Sequence, residues 1–196
     1  SDTEAVEQLQ SQQALVKQLL SVESTTAGLT ELLYSDEIAI QLHKMGFKAV
    51  MTEGAKHILS WKSPNYVYSS SAAPKLKVLL RNTTLSDELA FHFSDSTWHN
   101  FPMDAEKFAT ALATLPDEEQ VVNIWVGAET FGIRQSAASG IFDFLKALPY
   151  YAMEQEMGFM TPSEVAKKFA ASDAVVVPYP LTWAGEGKDL STYNGN

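Results

Sequence analysis

An α/β fold, with parallel strands alternating with helices, is what this sequence predicts, and two observations predict it. Short apolar runs such as "FKAVMT", "KLKVLLRN" and "VVNIWV" stand between segments whose apolar residues recur at helical spacing. Helix-start signatures precede several of those segments, at Ser35-Asp36-Glu37, at Asp104 and at Thr161-Pro162-Ser163-Glu164. Such alternation implies parallel pairing through right-handed crossovers. The pattern gives about four or five strands, with no internal repeat and no low-complexity segment. A single α/β domain over residues 1–196 is expected.

The elements follow in order. Asp2 to Leu20 reads as a helix, with Val6, Leu9, Leu15, Val16, Leu19 and Leu20 set among Gln and Glu. Ser21 to Gly28 is small and polar, a connection or a short extended stretch. A second helix starts at the Ser35 cap, runs through Met45 and stops at Gly46. Phe47 to Thr52 is strand-like, with Glu53-Gly54 at its end. "AKHILSW" is a short helical segment and "YVYSS" a short extended one. Lys75 to Asn82 is a strand with polar residues at its carboxyl end. Leu85 to Ser94 reads as a helix carrying a half-buried His92, and Asp104 to Leu115 as another. Val121, Val122, Ile124, Trp125 and Val126 form a nearly unbroken apolar run, as in a parallel strand covered on both faces. "SGIFDFLKAL" is a helix expected to stop at Pro149, and "TPSEVAKKFA" is the last helix. "AVVVPYP" closes as a strand or edge segment, because Pro178 and Pro180 bar it from a central ladder.

Composition narrows the function classes. The chain of 196 residues is 45% apolar and 19% charged, as in globular rather than disordered proteins. A formal net charge of -10 argues against a nucleic-acid partner, which requires a basic footprint. There are no cysteines, so disulfides, zinc-thiolate sites and cysteine nucleophiles are excluded. No apolar run reaches the roughly 18 residues of a membrane span, and the acidic start is unlike a signal peptide. A cytoplasmic or organelle-soluble setting is expected. The four histidines, His43, His57, His92 and His99, lack metal-ligand spacing, and there is no nucleophile elbow, phosphate loop or dinucleotide glycine pattern. No metal and no cofactor are expected.

In α/β sheets, chemistry gathers at the carboxyl ends of strands. Glu53 and Glu129 both close apolar runs, where a carboxylate is placed at a pocket rim; proximity to a helix N-terminus explains either one equally well. Glu31 lies between a polar connection and a helix, and on composition it is a solvated glutamate. Tyr34, three residues on, shares its surface if the turn is helical. Asp87 reads as a first-turn helix residue. Arg81, a cation at a strand end beside several acids, is suited to ion pairing in a pocket. Trp61, Trp98, Trp125 and Trp183 offer faces that stack on sugar rings, although aromatics are more often core.

Five stretches carry a resemblance: "TELLYSDEIAIQLHKMGFKAVMTEGAKHILSWKSPNYVYSS", "LKVLLRNTTLSDELAFHFSDSTW", "AETFGIRQSAASGIFDFLKALP", "GFMTPSEVAKKF" and "LTWAGEGKDLSTYNGN". Collinear from Thr30 to the last residue, they resemble the amylase-type members of glycoside hydrolase family 57. The resemblance implies the carboxyl-terminal part of a seven-stranded incomplete TIM-like barrel that handles α-glucans by a retaining mechanism. It places the nucleophile at Glu31, in "TELLY". It places the acid/base at position 127, where the family's aspartate and following aromatic are replaced by Gly127 and Ala128. Glu129 remains, but on an extended chain it would sit roughly 6–7 Å further along, a poor substitute.

Other departures agree. Ala27, Gly28 and Leu29 replace the family's Phe-Arg-Asn; Ile133, Arg134 and Gln135 replace Glu-His-Gln; and Gly185 after Trp183-Ala184 replaces a carboxylate. The family's amino-terminal half has no counterpart. A retaining glycosidase needs two carboxyl groups about 5 Å apart, and general acid assistance is worth about 10²–10⁴-fold. The favoured reading is therefore a degenerate, non-catalytic amylase-like domain with a structural, assembly or glucan-binding role. A protein partner or self-association is expected at the unpaired sheet edge, with an α-glucan as candidate ligand. Tyr34, Glu53, Arg81, Asp87, Trp98 and Trp183 are the candidate binding residues. The alternative is an active α-glucan hydrolase or transferase, with Glu31 as nucleophile and Glu129 or another carboxylate as acid.

Overall fold

A computed structural model describes residues 2–193; the last three residues of the resembling stretch "LTWAGEGKDLSTYNGN" lie outside them. The chain forms two compact units, one of Ser1–Leu80 with Thr161–Asn196 and one of Arg81–Met160.

The first unit opens on α1 (Asp2–Leu20), whose Leu9 packs on the core while Leu15, Leu19 and Leu20 stay exposed. The strands β1 (Thr26–Gly28), β2 (Ala49–Glu53), β3 (Val67–Ser70), β4 (Lys77–Arg81) and β5 (Asp173–Val175) form one sheet in the order β1-β2-β4-β3-β5. α2 (Asp36–Lys44) carries the chain from β1 to β2, which pair in parallel with Ala27 opposite Val50. Its start is fixed by Ser35, whose hydroxyl accepts the Ile38 amide at 3.2 Å, with Asp36 and Glu37 complementing the helix dipole. β3 and β5 are also parallel.

β3 and β4 depart from the all-parallel expectation and pair antiparallel, with Tyr68 opposite Val78. The short connection 71–76 between them is the reason, since a parallel return needs a crossover of about a dozen residues or more. A short helix, α3 (Lys56–Leu59), follows β2. α7 (Pro162–Lys168) begins with a full capping box between Thr161 and Glu164 and leads into β5, an edge strand that ends at Val175, before Pro178 and Pro180. Ala27, Tyr34, Leu42, Val50, Tyr68, Leu80, Val177 and Leu181 meet in the apolar core.

In the second unit, α4 (Thr83–Asp87) is capped by Asn82 and passes into a π-type turn, Glu88–His92, that keeps His92 half-buried. α5 (Ala105–Ala113), capped by Asp104, packs beside α6 (Ile141–Glu154). Phe144 of α6 meets Phe93 and Phe108 edge-on, with centroids 5.3 and 5.6 Å apart.

Two expectations are corrected here. α6 does not stop at Pro149 but runs through it. A mid-helix proline costs about 3 kcal/mol, and the burial of Ile141 and Phe144 before it and Ala152 after it holds the helix on both sides. The run Val121–Val126 is not a buried strand. It is extended and half-buried, with a single parallel bridge, Asn123 to Arg81. A ladder needs a partner over several residues, and β4 ends at Arg81 because Asn82 starts a helix.

Among the described residues, no helix is long and apolar enough to cross a membrane, and no three His, Asp or Glu side chains gather as metal ligands.

Candidate functional site

Glu31 lies in the first unit, and Gly127 and Glu129 lie in the second.

Glu31 sits in a 3-10 turn, Thr30–Leu32, with φ 57° and ψ 22°; Leu32 follows at φ 55°. Left-handed backbone at two successive side-chain-bearing residues is strained, and such strain persists only where the surroundings impose it. Here Leu32 is fully buried and its carbonyl accepts the Thr52 hydroxyl of β2 at 3.0 Å. Tyr34 and Leu181 exchange both backbone hydrogen bonds, and the Trp183 amide donates to the Glu31 carbonyl at 3.0 Å. The turn is thus locked from below and its carboxylate is thrust outward. The Trp183 indole N–H donates to Glu31 Oε2. Desolvation first, and then the charge of Glu31, hold the Tyr193 phenol above its ordinary pKa.

Glu31 and Trp183 are therefore brought together, while Tyr34 and Glu53 are not with them. Tyr34 points into the core with no exposed surface, where burial pushes its phenol up to about 12. It does not share the surface of Glu31, because the Thr30–Leu32 turn ends before it and the bridge to Leu181 draws it inward. Glu53 is likewise buried rather than at a rim, with Oε1 accepting the Gly54 amide at 2.9 Å.

In the second unit, Gly127 is extended at φ -65° and ψ 145°, so no left-handed conformation requires glycine there. Ala128–Thr130 then forms a 3-10 turn, with the Thr130 amide on the Gly127 carbonyl at 2.9 Å. That turn corrects the expected separation of 6–7 Å, which assumed an extended chain. It folds Glu129 back over Gly127, and a Cβ at position 127 would collide with the Glu129 carboxylate. The Arg134 guanidinium lies 3.4 Å from Glu129 Oε1 and 5.0 Å from the centroid of the Phe91 ring. Gln135, buried between the Ser94 hydroxyl and the Ala90 carbonyl, anchors the loop that presents Arg134. The space that a side chain at position 127 would enter is thus taken by the Glu129 carboxylate, which Arg134 pairs with.

Arg81, fully buried, donates Nε–H to the Trp125 carbonyl at 2.7 Å and pairs with Asp87 at 2.5 Å. Asp87 ends α4 rather than starting a helix. The Ser86 hydroxyl accepts the Trp125 amide at 3.1 Å, so this cluster ties the extended run 121–126 to Arg81 and α4. Trp98 is half-buried and carries histidines against its ring. His92 stacks on it in parallel at 3.7 Å, and His99 leans against it at 4.6 Å.

Two residues were not singled out from the sequence as candidates. Tyr193 gave no signal beyond lying near the Trp183 motif. Arg134 was visible only as the replacement of a histidine, and a cation five residues after Glu129 was the available hint.

The profile described as Glycosyl hydrolase family 57 matches residues 1–178. The chain is 35% identical over 199 aligned residues to a protein of Methanocaldococcus jannaschii named "Putative alpha-amylase"; the match covers 100% of this chain and 42% of that protein. The chain therefore spans less than half the length of that relative. The crystal structure of 4-alpha-glucanotransferase from Thermococcus litoralis superposes with a TM-score of 0.65 at 17% identity, over 88% of this chain and 27% of that one. The likeness to that structure concerns the fold, and is consistent with part of a TIM-like barrel. On the family match over most of its length, this chain belongs to glycosyl hydrolase family 57.

Proposed function

We propose that the chain is a degenerate, non-hydrolysing amylase-like domain that recognises α-glucan through the Glu31 carboxylate, and that it also serves assembly. The observation that carries this is the side chain missing at Gly127, with its space filled by the Glu129 carboxylate, which Arg134 pairs with. Retaining hydrolysis needs a proton donor facing the nucleophile, worth about 10²–10⁴-fold on its own. Glu31 retains what binding needs: an outward carboxylate beside an indole, able to accept sugar hydroxyls next to an apolar ring face. The names of the M. jannaschii and T. litoralis relatives refer to α-glucan chemistry, which supports that ligand class here.

A second reading is favoured by one observation. The Glu129 carboxylate lies where a side chain at 127 would begin, so an active hydrolase or transferase would use Glu31 as nucleophile and Glu129 as acid. The partner part of the proposal concerns β1 and β5, the outer strands of the sheet, each three residues long. The setting we infer is a soluble compartment, cytoplasmic or within an organelle.

Calorimetric titration with maltoheptaose tests recognition. Saturable binding with Kd below about 1 mM is expected, weakened at least about tenfold by Trp183→Ala. No saturable heat, or binding indifferent to Trp183, would overturn it. Native mass spectrometry showing only monomer would remove the assembly part.

A further inference from the structure

We propose that α1 docks on α1 of a second copy of this chain, as a short parallel coiled coil. Two sides of the helix carry aliphatic residues. On one, Val6, Leu9, Gln13 and Val16 are half-buried; Leu9 packs on the apolar core, and Gln13 Nε2 donates to the Ser24 carbonyl at 3.3 Å. On the other, Gln8, Gln12, Leu15 and Leu19 follow one another at steps of four, three and four residues, all of them exposed. That alternation is the spacing of a coiled-coil seam, in which each side chain enters a hole on a facing helix. Around the end of this seam Leu15, Leu19, Leu20 and Val22 are 45–69% exposed. Four large apolar side chains within eight residues are a cluster, not the scattered leucines of an ordinary surface.

Charge selects the partner. The chain carries a net charge of -10, so two copies repel one another over most of their surfaces. From Gln8 to Val16 the sequence holds no charged residue, and none again from Gln18 to Val22. Glu7 and Lys17, the charges nearest the seam, project by helical phase from other sides of α1, and Lys17 is paired with Glu23 at 2.6 Å. A strongly acidic or basic partner finds no opposite charge on this seam. A two-fold related copy finds a match, because each residue near the axis meets its own kind. Glutamine suits that symmetry, since one amide carries both donor and acceptor and hydrogen-bonds to another glutamine. Parallel alignment sets Gln8 on Gln8, Gln12 on Gln12, Leu15 on Leu15 and Leu19 on Leu19. Antiparallel alignment of the same four sets glutamines on leucines and leaves the amides unmatched. The seam spans about 17 Å of helix, short for a coiled coil, so association belongs in the range of tens of micromolar. The inference uses neither Glu31 nor the sheet edges and stands apart from the glucan reading.

The test is sedimentation velocity of the intact chain between about 5 and about 500 µM. The mass should rise from one chain's 21.6 kDa toward twice that, with a Kd of about 10–100 µM. Leu19 is exposed, so Leu19→Lys and Leu19→Glu are compatible with the fold. Each variant alone should stay monomeric across the range, and the two mixed in equal amounts should dimerise again, lysine against glutamate. The chain has no cysteine, so Gln12→Cys reads the alignment directly: mild oxidation should give a disulfide-linked dimer. Glu7→Cys, on another side of the helix, should cross-link at least about tenfold more slowly. A native chain still monomeric at about 500 µM, or equal cross-linking at positions 7 and 12, would overturn the proposal. A dimer untouched by Leu19→Lys would overturn it too, while leaving assembly through β1 and β5 standing.

Discussion

Replacing Asp87 with alanine is expected to destabilise the protein by about 3 kcal/mol, the low end of what removing one partner of a buried ion pair costs. Arg81 is the reason. Its guanidinium is about as buried as any side chain here, and Asp87 is an anionic partner at 2.5 Å. Burying a guanidinium carries a desolvation penalty of several kcal/mol, offset only while its charge and N–H groups are met. The Trp125 carbonyl meets one of its N–H groups. The Asp87 side chain is 30% exposed, so water replaces part of what it supplies, which sets the low end. Urea denaturation followed by circular dichroism measures the change. A loss below about 1 kcal/mol would mean that the pair contributes no more than a surface salt bridge.

Phe144→Ala should be at least as costly, about 3–5 kcal/mol in the same measurement. The Phe144 ring is 4% exposed and meets Phe93 and Phe108 edge-on, inside a cluster that also holds Leu89, Met103 and Ile141. Truncation removes the transfer free energy of a phenyl group and leaves a cavity that neighbours on α5 and α6 cannot all fill. Phe144→Leu keeps most of the volume and should cost less than about 1.5 kcal/mol. On the same helix the more exposed Phe142 serves as a control, its alanine variant losing much less. Equal effects at 142 and 144 would contradict the assignment of the core face.

What was legible from sequence was local chemistry. Ser35, Asp104 and Thr161 announced their helices because an N-cap needs only a side-chain oxygen and the amide three residues on. Tertiary balance was not legible. The run Val121–Val126 has the composition of a covered strand, but no sequence signal says that β4 ends at Arg81, leaving it one bridge. Pro149 reads as a stop, and only the burial of Ile141, Phe144 and Ala152 explains why α6 ignores it.

The site divides in the same way. Glu31, Trp183, Glu129 and Gly127 were all singled out, yet neither the Glu31–Trp183 hydrogen bond nor the return of Glu129 over Gly127 could be seen. Both depend on tight turns, 3-10 at Thr30–Leu32 and at Ala128–Thr130, in sequences that carry no strong turn signature. Tyr34 and Glu53 illustrate the converse. Polar side chains at strand and turn ends look like rim residues, but here the chain buries both.

Gly127 and Arg134 act on the same carboxylate. The absence of a side chain at 127 leaves the space that the Glu129 carboxylate enters, and Arg134 supplies the charge that meets it. A side chain restored at 127 therefore meets an occupied position, and Glu129 must swing away before it fits.

The most direct measurement is product formation from maltoheptaose by the intact chain, with Glu31→Gln run beside it and both followed by mass spectrometry over long incubation. With no proton donor at position 127, neither shorter nor longer maltooligosaccharides should exceed the level of the Glu31→Gln protein. Products formed by the native chain and abolished in Glu31→Gln would contradict this and establish a working glycosidase.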